Sequence, residues 1–277
     1  MTEYLTIDDG TLAYDVAGEG PLVVLAHGMG DTRHSYRFLA PALVAAGYRV
    51  ASLDLRGCGE SSLGWSGYSR TDLAGDMLTL VRHLGGPAVI IGQSISGGAA
   101  TIAAATAPEL VTGLVELAPF TRKQSVDLAG LLTVQRYRVG YTHLTGAFLG
   151  STASWKKYLD LAVPAKPADW DAELGRIQAK MDEPGRMKVL RAMAQSKPTD
   201  AGEQLAKVSC PVLVVEGSAD PDWTDPRAEG ERILADLPHG LGELAVIEGA
   251  GHYPHTETPD QVLALVLPFL ARTAARA

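Results

Sequence analysis

The run Ala88-Val89-Ile90-Ile91 passes directly into Gly92-Gln93-Ser94-Ile95-Ser96-Gly97-Gly98 and then into Ala99-Ala100-Thr101-Ile102-Ala103-Ala104. A short apolar run reads as a buried strand, and the alanine-rich stretch beyond the glycines reads as a helix. So little chain lies between them that the turn must be sharp, and a serine is forced outward on it. The residues two before and two after that serine must be small, because the bend brings strand and helix into near contact. Gly92 and Ser96 meet this demand around Ser94, while Gly97 and Gly98 let the helix pack closely. Ser96 is the second candidate for the outward position. Choosing it would require the strand to run on through Gly92 and Gln93, which interrupt the apolar run, so Ser94 is preferred. The plain alternative is a turn of small residues with no chemistry.

The rest of the chain alternates in the same way. Tyr4–Ile7 and Thr11–Val16 flank Asp9-Gly10, a hairpin signal. Strands are expected at Leu22–Ala26, Tyr48–Leu53, Ala88–Ile91, Val111–Leu117, Val212–Val215 and Leu244–Ile247. Helices are expected at Tyr36–Ala46, Asp72–Leu84, Pro226–Leu237 and Gln261–Leu270, the last kinked or shortened by Pro268. This alternation implies an α/β fold, a mostly parallel central sheet flanked by helices. The rhythm breaks between Pro119 and Val208, where no strand is convincing. Trp155, Tyr158, Leu159 and Ala162 form one helical stripe there, and Leu174, Ile177 and Met181 another. A connection so long carries its own structure. The expected division is a catalytic domain over 1–118 and 209–277 with an inserted helical cap over 119–208.

Composition narrows the function classes. The 277 residues can bury a large core, and 46% are hydrophobic, as in ordinary globular proteins. The net charge of −8 is spread without a basic stripe, which argues against nucleic acid as a partner. No apolar stretch reaches the ~20 residues that span a bilayer. Met1-Thr2-Glu3-Tyr4 does not begin a secretory signal, so a cytoplasmic protein is expected. Cys58 and Cys210 are too few for a disulfide framework and sit beside expected strands as reduced packing residues. Metal-ligand spacings and glycine-rich phosphate loops are absent from the sequence. A small-molecule substrate with neither metal nor cofactor is the expectation, and the oligomeric state is open.

A serine hydroxyl needs a base to take its proton, and that base needs an acid to orient it. After the last expected strand comes Gly249-Ala250-Gly251-His252-Tyr253-Pro254-His255, where small residues let a loop approach the bend. His252 is the preferred base and His255 the runner-up. Val212–Val215 leads into Glu216-Gly217-Ser218-Ala219-Asp220, which puts Asp220 at the carboxyl end of a buried strand, where α/β sheets place their sites. Asp222 and Asp225 lie nearby. Glu116, inside an apolar run, is an alternative acid and otherwise a structural or pocket-lining group. A tetrahedral intermediate also needs backbone N–H donors. Ile95 follows the nucleophile, and Met29 lies in the glycine-framed His27-Gly28-Met29-Gly30. His27 is expected to fix that loop rather than move protons.

His27-Gly28-Met29-Gly30, Asp54-Leu55-Arg56-Gly57-Cys58-Gly59-Glu60-Ser61, the Ser94 bend, Gly217-Ser218-Ala219-Asp220 and Gly251-His252 occur in one order. In that order they resemble the α/β-hydrolase superfamily, in its serine-nucleophile branch with a helical cap. The resemblance covers the expected catalytic domain and leaves the cap unspecified. It implies Ser94, Asp220 and His252 as a triad, with Met29 and Ile95 as oxyanion donors. Gln93 stands where histidine is common in the family, and Ser96 where glycine is common.

Serine at the bend argues against the branches whose nucleophile is aspartate, the haloalkane dehalogenases and soluble epoxide hydrolases. Hydrolysis of a carboxylic ester or lactone of a small, largely apolar molecule, through an acyl-serine, is the first expectation. Carbon–carbon bond hydrolysis, amide hydrolysis and perhydrolysis of the cofactor-free haloperoxidase type use the same residues. A slow-turnover ligand receptor of the same fold is the expectation from a different class. Trp155, Tyr158 and Trp223 are expected to contact substrate, with Met29, Met181, Met187 and Met193 as further pocket candidates.

Overall fold

In the computed structural model, residues 1–7, 10–197 and 199–274 are described. The expected turn at Asp9 and a turn expected at Pro198 lie outside them. The strands are β1 (Thr2–Ile7), β2 (Gly10–Ala17), β3 (Leu22–Ala26), β4 (Arg49–Leu53), β5 (Ala88–Gln93), β6 (Val111–Leu117), β7 (Val212–Gly217) and β8 (Gly242–Ile247). They form one eight-stranded sheet in the order β1-β2-β4-β3-β5-β6-β7-β8. β2 pairs antiparallel with β1 and with β4; every other pairing is parallel. β3, β5 and β7 are buried along their whole length, as largely apolar strands covered on both faces should be.

The helices are α1 (Leu39–Ala45), α2 (Arg70–His83), α3 (Ile95–Thr106), α4 (Leu128–Thr133), α5 (Gln135–Phe148), α6 (Thr152–Ala162), α7 (Trp170–Met181), α8 (Arg186–Ala194), α9 (Pro226–Asp236), α10 (Pro254–Glu257) and α11 (Pro259–Ala274). Side-chain alternation splits the core. Val24, Ala26 and Val214 pack on one face with Leu73 and Met77 of α2, Ala99 of α3 and Ile233 of α9. Val23, Leu25 and Val215 pack on the other with Leu39 and Leu43 of α1 and Val262 and Phe269 of α11. A third cluster joins α5–α8: Trp155, Tyr158 and Leu159 pack with Leu174, Ile177 and Met181, and with Tyr253 near the end of the sheet.

Three expectations about elements change. The helix expected from Tyr36 starts instead at Leu39, after a short 3-10 turn over Arg33–Tyr36. β5 continues through Gly92 and Gln93, which the apolar run had not suggested. Pro268 does not end α11, which continues to Ala274. One lost backbone bond is offset there by the apolar face of Val262, Val266, Phe269 and Leu270 against the sheet.

Candidate active site

Although β5 is longer than expected, it still delivers Ser94 and not Ser96 to the bend. Ser94 is the residue before α3 and takes φ 56° and ψ −122°, a left-handed conformation rare for a side-chain-bearing residue. Such strain costs on the order of 1–3 kcal/mol and persists only where the surroundings over-determine it. Here Ser94 N donates to Leu117 O at 2.9 Å, and Ser94 O accepts from Phe120 N and from Gly97 N, each at 3.0 Å. A Cβ on Gly92 would strike the Ser96 carbonyl, so the crossing of strand and helix admits only glycine. Ser96 is fully buried and donates from Oγ to His27 O at 2.6 Å. Its hydroxyl is spent on tying α3 to the loop after β3, which accounts for serine where the family often has glycine.

His252 and Asp220 meet across the ends of β7 and β8. His252 Nδ1 bonds Asp220 Oδ2 at 2.7 Å, and Asp220 Oδ1 accepts from Asp222 N at 2.8 Å. A carboxylate only accepts, so Nδ1 carries the hydrogen and Nε2 is left for other work. Both side chains are buried. The loop of His252 is braced from three sides. His252 N donates to Ala162 O at the end of α6 at 2.8 Å, and Gln93 Nε2 donates to His252 O at 2.9 Å. Glu257 accepts from Gly251 N (2.8 Å), Tyr253 N (3.2 Å) and Ala165 N (3.1 Å). A Cβ on Gly251 would run into Ala162 O, which explains the small residue before the histidine.

Burial alone would lower the His252 imidazole. The charge of Asp220 and then that of Asp222 outweigh it and push the group up to about 9. Asp222 is also buried; its carboxyl is lifted by burial to about 6, with His252 pulling against the lift and Asp220 adding to it. Asp222 Oδ2 lies 3.5 Å from His252 Nδ1 and accepts from the Tyr158 hydroxyl at 2.7 Å. Asp220, Asp222 and His252 bring ligand-type atoms within 4.8 Å of one another. Three of those atoms already serve one another or Tyr158, which leaves Asp222 Oδ1 as the buried oxygen of the set without a hydrogen-bond partner.

The other candidates separate cleanly. His255 Nε2 contacts Ser35 Oγ at 2.6 Å and its ring stacks on Tyr36 at 4.7 Å. Burial, then Arg37, holds it down at about 3, so it is a neutral packing histidine. His27 Nε2 accepts from Leu55 N at 3.1 Å and Nδ1 donates to Gly28 O at 2.6 Å, fixing the loop of Met29. Glu116 meets Thr101 of α3 and is raised by burial to about 7. Asp225 caps α9, accepting from Ala228 N at 3.0 Å with Pro226 behind it.

Ser94, Ile95, Met29 and His252 open into one cavity of about 130 Å³. Its apolar wall is Leu144, Phe148, Trp155 and Met193, with Phe120, Tyr158, Tyr253 and Asp222 around the histidine and Arg70 and Arg122 farther out. Trp155 and Tyr158 stack at 5.1 Å, and Trp155 Nε1 donates to Gly30 O at 3.2 Å, so α6 also steadies the Met29 loop. Trp223 stands behind Phe120, ring centroids 5.4 Å apart, and Met181 and Met187 pack among α5–α8 rather than on the cavity wall. A larger pocket of about 610 Å³ lies beside β2 and β4, away from Ser94. Its arginines are already paired: Arg33 with Asp15, Asp54 and Glu60, Arg37 with Asp169, and Arg176 with Glu173. The smaller cavity therefore holds the candidate chemistry.

Sequence reasoning missed the Tyr158–Asp222 bond and the brace from Glu257. Tyr158 and Asp222 are 64 positions apart, and no local spacing joins them. Glu257 has a weaker local signal, a carboxylate just beyond the His252 loop.

Comparison with known proteins identifies the family to which the fold belongs. Over residues 23–265 the chain matches the sequence profile of the Alpha/beta hydrolase family. It is 30% identical over 255 residues to a pimeloyl-[acyl-carrier protein] methyl ester esterase of Neisseria meningitidis, covering 90% of this chain and 92% of that one. It is likewise 30% identical to a 2-hydroxy-6-oxononadienedioate/2-hydroxy-6-oxononatrienedioate hydrolase of Klebsiella pneumoniae, covering 98% and 96%. Among solved structures, a thermophilic esterase from Thermogutta terrifontis superposes with a TM-score of 0.78 at 23% identity, covering 99% of both chains. The chain belongs to the alpha/beta hydrolase family.

Proposed function

We propose that the protein is a serine hydrolase that cleaves a carboxylic ester or lactone of a small, largely apolar molecule. One observation carries the proposal: a serine strained to φ 56° at a strand end opens into the cavity that holds a histidine bonded to a buried aspartate. In this reading His252 Nε2 takes the Ser94 proton as Oγ attacks the ester carbonyl carbon. The oxyanion is met by the backbone N–H groups of Ile95 and Met29. Asp220 holds the ring and stabilises the imidazolium that forms. Collapse returns that proton to the departing alcohol, and water then releases the acid from Ser94 by the reverse sequence. Helices α4–α8 act as the cap, with 1–118 and 209–277 as the catalytic unit and 119–208 as the insertion. Trp155 and Tyr158 serve as substrate contacts, and Trp223 backs them through Phe120.

Among the described residues no helix is long and apolar enough to cross a membrane. A cytoplasmic small-molecule enzyme is the corresponding proposal for its setting. The relatives in hand include a hydrolase named for dienedioate substrates as well as an ester hydrolase. Carbon–carbon bond hydrolysis by the same residues is therefore the second reading. The test is a panel of p-nitrophenyl esters, lactones and vinylogous diketones with purified protein. Multiple turnovers on short esters, lost in Ser94→Ala, support the proposal. Turnover confined to the diketones would replace it with the second reading, and no turnover on any of them would favour a ligand receptor.

A further inference from the structure

A serine–histidine pair needs one carboxylate behind the ring, and here two lie on the same side of it. Asp220 Oδ2 takes the Nδ1 hydrogen at 2.7 Å, and Asp222 Oδ2 sits 3.5 Å from the same nitrogen. Among the described residues, no lysine or arginine forms an ion pair with the Asp222 carboxylate, whose ionic neighbour is His252. Its Oδ2 accepts from the neutral phenol of Tyr158, and its Oδ1 is buried without a hydrogen-bond partner. The Asp222 backbone is fixed too: its N–H donates to Asp220 Oδ1 at 2.8 Å and its carbonyl accepts from Gln124 Nε2 at 3.0 Å. Tyr158 belongs to α6, the helix that also holds the His252 backbone through Ala162 O. One helix between β6 and β7 thus positions both the ring's loop and its second acid.

We propose that Asp222 is a positioning residue for His252: anchored by Tyr158, it places a second negative charge beside Nδ1 and so sets the pH above which the base is free to act. The proposal rests on His252 being the base of the serine hydrolase argued above. Coulomb attraction at 3.5 Å between buried groups is strong enough to matter, since an opposite charge within ~4–6 Å moves a pKa by about 1–3 units. Apart from Asp220, the other groups facing the ring add less: Glu257 contributes a smaller upward push than Asp222. Glu257 of α10 is spent on three backbone N–H groups and is raised by burial to about 7. Glu216 of β7 is buried and raised well above the usual range. Tyr158 and Tyr253 are held far above neutrality by burial, and His255 is neutral. Arg136 of α5 donates to the carbonyls of Asp220, Trp223 and Thr224 from behind the loop. Arg70 and Arg122 on the cavity wall are paired with Asp200 and Asp236.

The decisive variant is Asp222→Asn. Its amide oxygen still accepts from Tyr158, so charge is removed while the docking of α6 is kept. The acid limb of the kcat/KM–pH profile should move down by about one unit or more. The plateau kcat should fall by no more than about tenfold, against ~10⁴-fold for loss of a triad aspartate. Tyr158→Phe, which leaves the carboxylate but frees it, should move the limb the same way by less, and it carries the test if Asp222→Asn does not fold. NMR titration of the His252 ring in both proteins reads the same shift without substrate. An unmoved limb and an unmoved ring titration in Asp222→Asn would overturn the proposal and leave Asp222 as a docking group for α6. Fluorophosphonate labelling of Ser94 in the parent protein keeps the two failures apart. Labelled Ser94 with an unmoved limb sinks this proposal alone, whereas unlabelled Ser94 sinks the hydrolase reading.

Discussion

At the scale of single residues, two serines two positions apart have opposite duties because their backbones differ. Ser94 sits in a left-handed conformation at the mouth of a cavity, and Ser96 is inside α3 with its hydroxyl on His27 O. Ser96→Ala should therefore cost about 1–3 kcal/mol in denaturant unfolding, because it leaves the buried His27 carbonyl without this donor, while Ser94 remains reactive. Loss of Ser94 labelling in a folded Ser96→Ala protein would contradict that division. Asp220→Asn should lower kcat by about 10⁴-fold, since the amide stabilises the wrong tautomer and leaves the imidazolium uncompensated. Stopped-flow or steady-state rates at saturating ester would measure this, and an unchanged kcat would remove Asp220 from its role. The raised position of His252, about 9, has a definite sign for activity. With the neutral ring as the proposed base, kcat/KM should climb as pH rises toward 9. An activity plateau already reached at pH 6 would show that the carboxylates do not hold the proton.

At the scale of elements, the α6 helix does more than cover the site. It stacks Trp155 on Tyr158, reaches Gly30 O with one and Asp222 with the other, and ends on His252 N through Ala162 O. Phe148, at the end of α5, lines the cavity. Phe148→Ala should enlarge the pocket and raise the ratio of kcat/KM for hexanoyl over acetyl esters; an unchanged ratio would place the acyl chain elsewhere. Most elements were legible in the sequence because their burial is uniform. β3, β5 and β7 are buried along their whole length, and the apolar runs Leu22–Ala26, Ala88–Ile91 and Val212–Val215 mark them, while α2 buries Leu73, Met77, Leu80 and Val81 at helical spacing. The stripes of α6 and α7 were legible for the same reason. What failed was local detail overridden by packing: the 3-10 turn over Arg33–Tyr36, the continuation of β5 through two polar-looking positions, and α11 passing Pro268. At the site, the bend and the glycine before His252 leave short-range signals. The Tyr158–Asp222 contact depends on how α6 docks, and no periodicity encodes docking.

At the scale of the whole molecule, the buried acids link stability to pH. Burial raises Glu116, Glu257 and Asp31 each to about 7. A group whose proton is held more tightly in the fold contributes its full stabilisation below its unfolded pKa and loses it as pH rises through the folded value. These three therefore favour the fold near pH 4–5 and withdraw support up to about pH 7, and His252 does the same toward about 9. The melting temperature should fall between pH 5.5 and 8.5, in the direction opposite to activity. Glu116→Gln should flatten part of that fall in calorimetry, because the amide needs no proton to stay buried beside Thr101. A melting temperature that rises over this range would show that the buried carboxyls are ionised in the fold.

Site-resolved labelling reads the proposed role of Ser94, the nucleophile of a serine hydrolase. The protein is treated with a fluorophosphonate, and peptide fragmentation separates Ser94 from Ser96. A single adduct on Ser94, absent in Ser94→Ala and greatly slowed in His252→Ala, is the predicted result. An adduct on Ser96, or labelling that survives in Ser94→Ala, would contradict it.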